Sequence, residues 1–78
     1  MLVRLYSLLR LTFDNYNNKG IHIDIENQIT IRELFDLMNI DPEGVQMVFV
    51  NDKYIKDLNY FIENKDSIKI FPHFPAGG

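Results

Sequence analysis

The most regular pattern along the chain is an alternation of apolar and polar residues over positions 21–26. Isoleucine fills every second position there, and the positions between are polar or charged. A period of two predicts a half-buried β-strand. An earlier apolar run begins at Leu2 and predicts another strand, with Val3 and Leu5 on one face. Because the polar, asparagine-rich residues 14–20 separate the two runs, we expect them to form a hairpin.

The next segment carries the signals of a helix start. Thr30 and Glu33 match the capping box, in which the threonine hydroxyl accepts from the glutamate amide and the glutamate carboxylate accepts from the threonine amide. The apolar residues that follow have the spacing of a buried helical face, and they are Ile31, Leu34, Phe35 and Met38. Asn39 and the pair Asp41-Pro42 predict the end of this helix.

The second half of the chain contains three further apolar segments of strand length. They are residues 45–50, 53–55 and 67–71. The first is rich in valine and predicts a central strand, in which Phe49 would join Phe35 in the core, while lysines beside the second predict an edge strand. We expect residues 58–62 to place apolar side chains under a loop or a short 3₁₀ turn. Pro72 should stop the last strand, because proline has no amide hydrogen to donate.

The order of these elements is strand, strand, helix, strand, short strand and strand. This order predicts an α+β fold of the β-grasp, or ubiquitin-like, type, a mixed sheet of about five strands with one main helix packed across it. The first and last strands should lie parallel in the middle, because a helix crossover separates them, and the outer pairs should be antiparallel. We expect one domain over residues 1–72 and an extended tail over residues 73–78.

Composition excludes several classes of chemistry. The sequence has no cysteine, which excludes disulfides, iron–sulfur clusters, thiolate zinc sites and cysteine nucleophiles. The formal net charge of −3 argues against nucleic acid as a partner, and no apolar run reaches the roughly 18 residues of a membrane span. The first residues lack the pattern of a signal peptide, so we expect a cytoplasmic protein. A metal site would need a third ligand and proximity of the two histidines, but His22 lies on a predicted outer strand and His73 beyond the end of a central one, so we predict no metal site.

The sequence closes on a proline-rich segment followed by two glycines. Pro72 and Pro75 favour extended backbone in the residues before them, which predicts a stiff arm. From Pro75 to Gly78 an extended chain reaches roughly 13 Å, and glycine suits a narrow channel because it has no Cβ.

A chance Gly-Gly pair at these positions has a probability of about 0.5%. We therefore predict that Gly78, preceded by Gly77, carries the reacting group. The residues predicted to contact a partner are Phe71, Pro72, His73, Phe74, Pro75 and Ala76.

Such a terminal carboxylate needs activation before it can react. An α-carboxyl group has a pKa of about 3.3–3.7, so it is an anion at neutral pH and a poor electrophile. Joining it to AMP provides a leaving group, which a sulfur donor can displace to leave a nucleophilic thiocarboxylate. No step requires a side chain of this protein, so we expect no catalysis of its own and no bound cofactor.

Short motifs along the chain are similar to those of a known family. They are Leu8-Leu9-Arg10, Val50-Asn51-Asp52, Lys65-Asp66-Ser67-Ile68, Ile70-Phe71-Pro72 and Ala76-Gly77-Gly78. Together they resemble the ubiquitin-like sulfur-carrier family of the MoaD and ThiS type, and within it the small subunit of molybdopterin synthase. The stretch His73-Phe74-Pro75 is one residue longer than the corresponding part of the family's usual Phe-Pro-Pro-Val-Ala-Gly-Gly ending.

The resemblance implies three partners. An adenylyltransferase of the ubiquitin-activating type would use ATP and Mg²⁺ to adenylate Gly78, a sulfurtransferase system would supply the sulfur, and the large subunit of molybdopterin synthase would receive the tail. Other acceptors stay open: a dedicated tungsten or molybdenum enzyme, thiamin synthesis or cysteine synthesis. Two other classes of function also stay open, a protein modifier joined to lysines and a β-grasp module that only docks.

Overall fold

A computed structural model of the protein describes residues 1–6 and 20–72. Its elements, in chain order, are β1 (Leu2–Leu5), β2 (Ile21–His22), β3 (Ile29–Thr30), α1 (Ile31–Met38), a 3₁₀ turn (Pro42–Gly44), β4 (Val45–Val50), β5 (Lys53–Ile55), β6 (Phe61–Ile62) and β7 (Ser67–Pro72). No helix within these ranges is long and apolar enough to cross a membrane.

The main sheet has the strand order β2-β1-β7-β4-β5. β1 and β7 pair in parallel, while β1 with β2, β7 with β4, and β4 with β5 pair antiparallel. The last strand of the chain therefore lies in the middle of the sheet, held by hydrogen-bonded neighbours on both sides. This arrangement confirms the predicted β-grasp fold, with its parallel central pair and antiparallel outer pairs.

The start of α1 is the predicted capping box. The Glu33 amide donates to Thr30 Oγ1 at 3.1 Å, and the Thr30 amide donates to Glu33 Oε1 at 3.0 Å. The helix ends at Asn39, whose φ of 55° is left-handed, a conformation that asparagine tolerates better than most residues. A helix of only eight residues is marginal alone, so its stability comes from packing against the sheet.

The core lies between α1 and one face of the sheet. The residues that are predicted for the helix face, Ile31, Leu34, Phe35 and Met38, are all buried. Alternate residues of the central strands meet them, and these are Val3, Leu5, Val48, Val50, Ile68 and Ile70. The period-two pattern of the strands thus separates a helix-covered face from an open face of the sheet.

The structure corrects four sequence predictions. β2 covers two residues rather than six, although exposure alternates through residue 26. Residues 61–62, expected in a loop, form β6 and pair antiparallel with β3 in a separate two-stranded sheet. Pro72 closes β7 opposite Val45 instead of stopping the strand before it, because the end of a strand does not need the missing amide hydrogen. Phe49 is half-buried on the open face, because its neighbours Val48 and Val50 occupy the core.

Candidate functional site

The predicted site is described in part. Phe71 and Pro72 are the last residues of β7, and both are half-buried. The other predicted site residues, His73, Phe74, Pro75, Ala76, Gly77 and Gly78, lie outside the described residues, as does the motif Leu8-Leu9-Arg10. The described part of the site is therefore the end of the central strand and the sheet face around it.

Four aromatic rings form a continuous row across the open face of the sheet. Phe71 stacks on Tyr6 with a centroid distance of 4.3 Å and an interplanar angle of 10°. On its other side, Phe71 meets Phe49 edge-on at 5.6 Å, and Phe49 meets Tyr54 at 5.5 Å. We call Tyr6, Phe71, Phe49 and Tyr54 the aromatic row. Aromatic pairs in such geometry contribute about 0.5–1.5 kcal/mol beyond their burial, so the row is preorganised.

Strand register explains how the row arises. Phe49 and Tyr54 are directly opposed residues of β4 and β5, and Tyr6 follows β1, with its amide donating to the Ile70 carbonyl at 3.1 Å. A register shift between Val45 and Met47 interrupts the pairing of β4 with β7 near Phe71. The row therefore draws on β7, β4, β5 and the residue after β1, and its member Phe71 lies next to Pro72, the last residue of β7.

An ion pair borders the row. Lys69 Nζ lies 2.7 Å from Asp52 Oδ1, and both residues line a cavity of about 190 Å³ together with Phe49 and Phe71. The hydrogen bond from Lys69, and then its charge, lower the pKa of Asp52, and the same contacts raise the pKa of Lys69. The pair thus stays fully ionised at neutral pH.

The turn before β5 holds Asp52 in place. Asn51 and Asp52 both have positive φ, 52° and 68°, as a tight hairpin turn between twisted strands requires. Asn51 Nδ2 donates to Asp66 Oδ1 at 2.9 Å, and Asn51 Oδ1 accepts from the Ser67 amide at 3.0 Å. This turn is consequently tied to the start of β7, which carries Lys69.

Further cations surround the aromatic row. Arg4 is exposed and lies opposite Lys69 across the parallel pair. At the other end of the row, Lys56 Nζ lies 5.9 Å from the centroid of the Tyr54 ring, within the range of a cation–π contact. The open face thus combines aromatic rings with basic side chains although the whole chain carries a net charge of −3.

The composition of this face is partly that of protein interfaces. Phenylalanine, tyrosine and arginine are enriched at interfaces, whereas lysine is depleted there. No group of three or more His, Cys, Asp or Glu that could hold a metal ion occurs in the part of the chain that the structure describes. Of the aromatic row, the sequence predicted only Phe71 as a partner contact, and it indicated no such role for Tyr6, Phe49 or Tyr54. The alternation of Val48, Phe49 and Val50 carried the signal, because adjacent strand residues face opposite sides.

Comparison with known proteins supports the fold. The structure is similar to the solution structure of a thiamine biosynthesis protein from Geobacter metallireducens, with a TM-score of 0.57 and 15% sequence identity over 100% of this chain and 88% of that one. No protein-family model matches the sequence, and no curated protein matches it. The chain is thus a β-grasp domain, a mixed five-stranded sheet with one helix packed across it.

Proposed function

We propose that this protein is a sulfur carrier whose reacting group is the backbone carboxylate of Gly78. The observation that supports this proposal is the coincidence of two features. The last strand is central in a β-grasp sheet, and the sequence after that strand ends Ala76-Gly77-Gly78. In this proposal the folded body presents the tail, and the tail enters the closed site of another protein.

The chemistry follows from the properties of a carboxylate. An adenylyltransferase joins Gly78 to AMP from ATP, with release of pyrophosphate. Hydrosulfide, or a donor that delivers its equivalent, then attacks the acyl carbon and displaces AMP, leaving –CO–S⁻. This product is ionised and nucleophilic at neutral pH, in the way that a thiolate is more reactive than a thiol. The two glycines leave the path to the acyl carbon free of side chains.

The aromatic row supplies the docking surface in this proposal. It lies beside the exit of β7, so a partner that covers the row also receives the tail. The basic residues around it, Arg4 and Lys56, favour a partner with acidic groups at the rim, where complementary charges speed association. Adenylyltransferase and final acceptor would then use the same face in turn.

We propose molybdopterin synthesis as the pathway, with the large subunit of molybdopterin synthase as the acceptor. The similarity of Ile70-Phe71-Pro72 and Ala76-Gly77-Gly78 to the ending of its small subunit supports this choice. Thiamin synthesis is the second candidate, because the structure that shares this fold is described as a thiamine biosynthesis protein.

The first prediction concerns the mass of the protein. After co-expression with the activating enzyme and a sulfur source, the mass of the protein should rise by about 16 Da. The increase is expected because a heavier sulfur atom replaces one oxygen of the ionised α-carboxyl group. Intact-mass spectrometry measures the change, and fragmentation should place it on Gly78. Appending one alanine after Gly78 should prevent the change, since glycine then no longer bears the carboxylate.

Two outcomes would contradict the proposal. If the mass never changes while the protein without Gly77 and Gly78 keeps full partner binding, the chain is a docking module. If Gly78 is instead found joined to lysine side chains, it is a protein modifier. Supplying the thiocarboxylated protein to the molybdopterin and thiamin acceptor enzymes separately then distinguishes the two pathways.

A further inference from the structure

A second apolar surface lies on the opposite side of the molecule from the aromatic row. Ile29, Glu33, Asp36 and Leu37 line a cavity of about 340 Å³ between β3 and the outward side of α1, and we call it the helix-side groove. The side chain of Leu37 is 65% exposed, although its neighbour Met38 is buried in the core. A single exposed leucine is common on protein surfaces, so Leu37 matters here because it lines one cavity together with Ile29.

The neighbouring ribbon exposes a further large side chain, which does not line the groove. Phe61 is 59% exposed and lies opposite Thr30 in the β3–β6 pair, whereas the groove residue Ile29 lies opposite the buried Ile62. Among the described residues, the large hydrophobics that are exposed are Leu37, Tyr54, Tyr60 and Phe61. Tyr54 belongs to the aromatic row, while the other exposed residues lie on α1 or at β6.

The charges in the groove are all negative. Glu33 lies in the first turn of α1, where its carboxylate is favoured by the helix dipole and is held by Thr30. Asp36 lies in the last turn, where the partial charge of the helix is also negative, and that turn contains no basic residue. A carboxylate there destabilises the helix. Arg32 is exposed but does not line the groove.

We propose that the helix-side groove binds a partner-protein segment that carries an aliphatic side chain between lysine or arginine residues. The aliphatic side chain would cover Ile29 and Leu37, and a cation would neutralise Asp36 together with the negative end of the helix. Charge complementarity is the reason for this choice, because an acidic segment would add to a repulsion that is already present. The surface is separate from the aromatic row, so both can be occupied at the same time.

The test uses a defined peptide and the complete protein. An acetylated and amidated pentapeptide of alternating lysine and leucine is titrated into isotopically labelled protein at low salt, and amide shifts are recorded by NMR. We expect the largest shifts at Ile29, Glu33, Asp36 and Leu37. Raising the salt from roughly 0.02 M to 0.5 M should weaken binding about fivefold or more, because the exposed charges become screened. The matched peptide with glutamate in place of lysine should not bind.

Variants separate recognition from stability. Asp36→Lys should raise Tm by about 2–6 °C, because it replaces an unfavourable charge at the helix end, yet weaken peptide binding about tenfold. Glu26→Lys makes the same charge change at an exposed position outside the groove and should leave binding within about twofold. Leu37→Ser should also weaken binding without affecting the mass change at Gly78.

Several results would overturn the proposal. Peptide shifts confined to the aromatic row, absence of binding at low salt, or equal effects of Asp36→Lys and Glu26→Lys would each do so. So would sedimentation that shows a dimer which Leu37→Ser dissociates, because the occupant would then be a second copy. None of these results bears on the sulfur-carrier proposal, which the mass measurement tests alone.

Discussion

At the scale of single residues, Gly20 occupies a position where any side chain would be strained. It is buried and has a φ of +92°, and a Cβ built on it would lie 2.8 Å from the Val3 carbonyl oxygen and 3.0 Å from Leu2 Cδ1. The backbone atom of Val3 cannot move aside without disturbing β1. Glycine therefore lets the chain approach β1 closely just before β2 begins.

Replacement of this residue should destabilise the fold. Gly20→Ala should lower the free energy of unfolding by roughly 1–3 kcal/mol. The alanine would have to adopt a positive φ, and its Cβ would collide with the Val3 carbonyl oxygen. Urea denaturation measures the loss. Gly44→Ala is the matched control: no atom lies within 4 Å of its Cβ position, so stability should be unchanged or raised by about 0.4–1 kcal/mol. Equal losses in the two variants would show that packing at Gly20 is not the cause.

Local chemistry is predictable from sequence where neighbouring residues determine it. The capping box depends on Thr30 and Glu33, three positions apart in the chain, and it was predicted. The aromatic row was not, because it requires register between strands that are distant in sequence. Its member Tyr6 follows β1, and no local sequence pattern indicates that the Tyr6 ring stacks on Phe71.

At the scale of elements, the start of α1 shows why β3 and β6 form. The first helical amides have no partner inside a helix, and here the Ile31 amide donates to the Tyr60 carbonyl at 3.1 Å and the Arg32 amide to the Leu58 carbonyl at 3.0 Å. The loop before β6 is therefore fixed to the helix start. Two residues per strand are too few for a periodic pattern, so the sequence predicted apolar side chains at 58–62 without the pairing.

The third amide of the helix depends on Thr30 alone. Thr30→Ala should lower the free energy of unfolding by about 1 kcal/mol, since it removes the acceptor for the Glu33 amide. Thermal denaturation followed by circular dichroism measures the effect. Thr30→Ser keeps the hydroxyl and should lose much less. A similar loss in both variants would assign the effect to the β-branched methyl group and not to the cap.

At the scale of the whole molecule, the two faces differ in chemistry. The open face of the sheet carries the aromatic row with Arg4 and Lys56, whereas the outward side of α1 carries Leu37 together with Glu33 and Asp36. The inward faces of the sheet and of α1 form the core, because strand and helix periodicity direct apolar side chains to the space between these two layers. Sequence periodicity predicted those layers, but it did not show which outward residues come together.

This difference gives a prediction about partner choice. Phe71→Ala should weaken binding to the activating enzyme about tenfold or more, because truncating an aromatic anchor at an interface costs about 2 kcal/mol. Calorimetric titration measures the affinity, with the fold checked by circular dichroism. Phe61→Ala removes an equally large exposed ring from β6, outside the aromatic row, and should leave this affinity unchanged. A weaker complex with Phe61→Ala and an unchanged one with Phe71→Ala would place the docking surface at β6 instead of the aromatic row.

The central position of β7 has a mechanical consequence for a protein that is held by its end. Tension applied beyond Pro72 runs along β7, and its hydrogen bonds to β1 and β4 lie across that direction. These hydrogen bonds carry the load together in shear. In an edge strand that is peeled away, by contrast, the bonds open one after another. If the proposed sulfur-carrier function holds, an enzyme could grip and withdraw the terminus without unravelling the folded body.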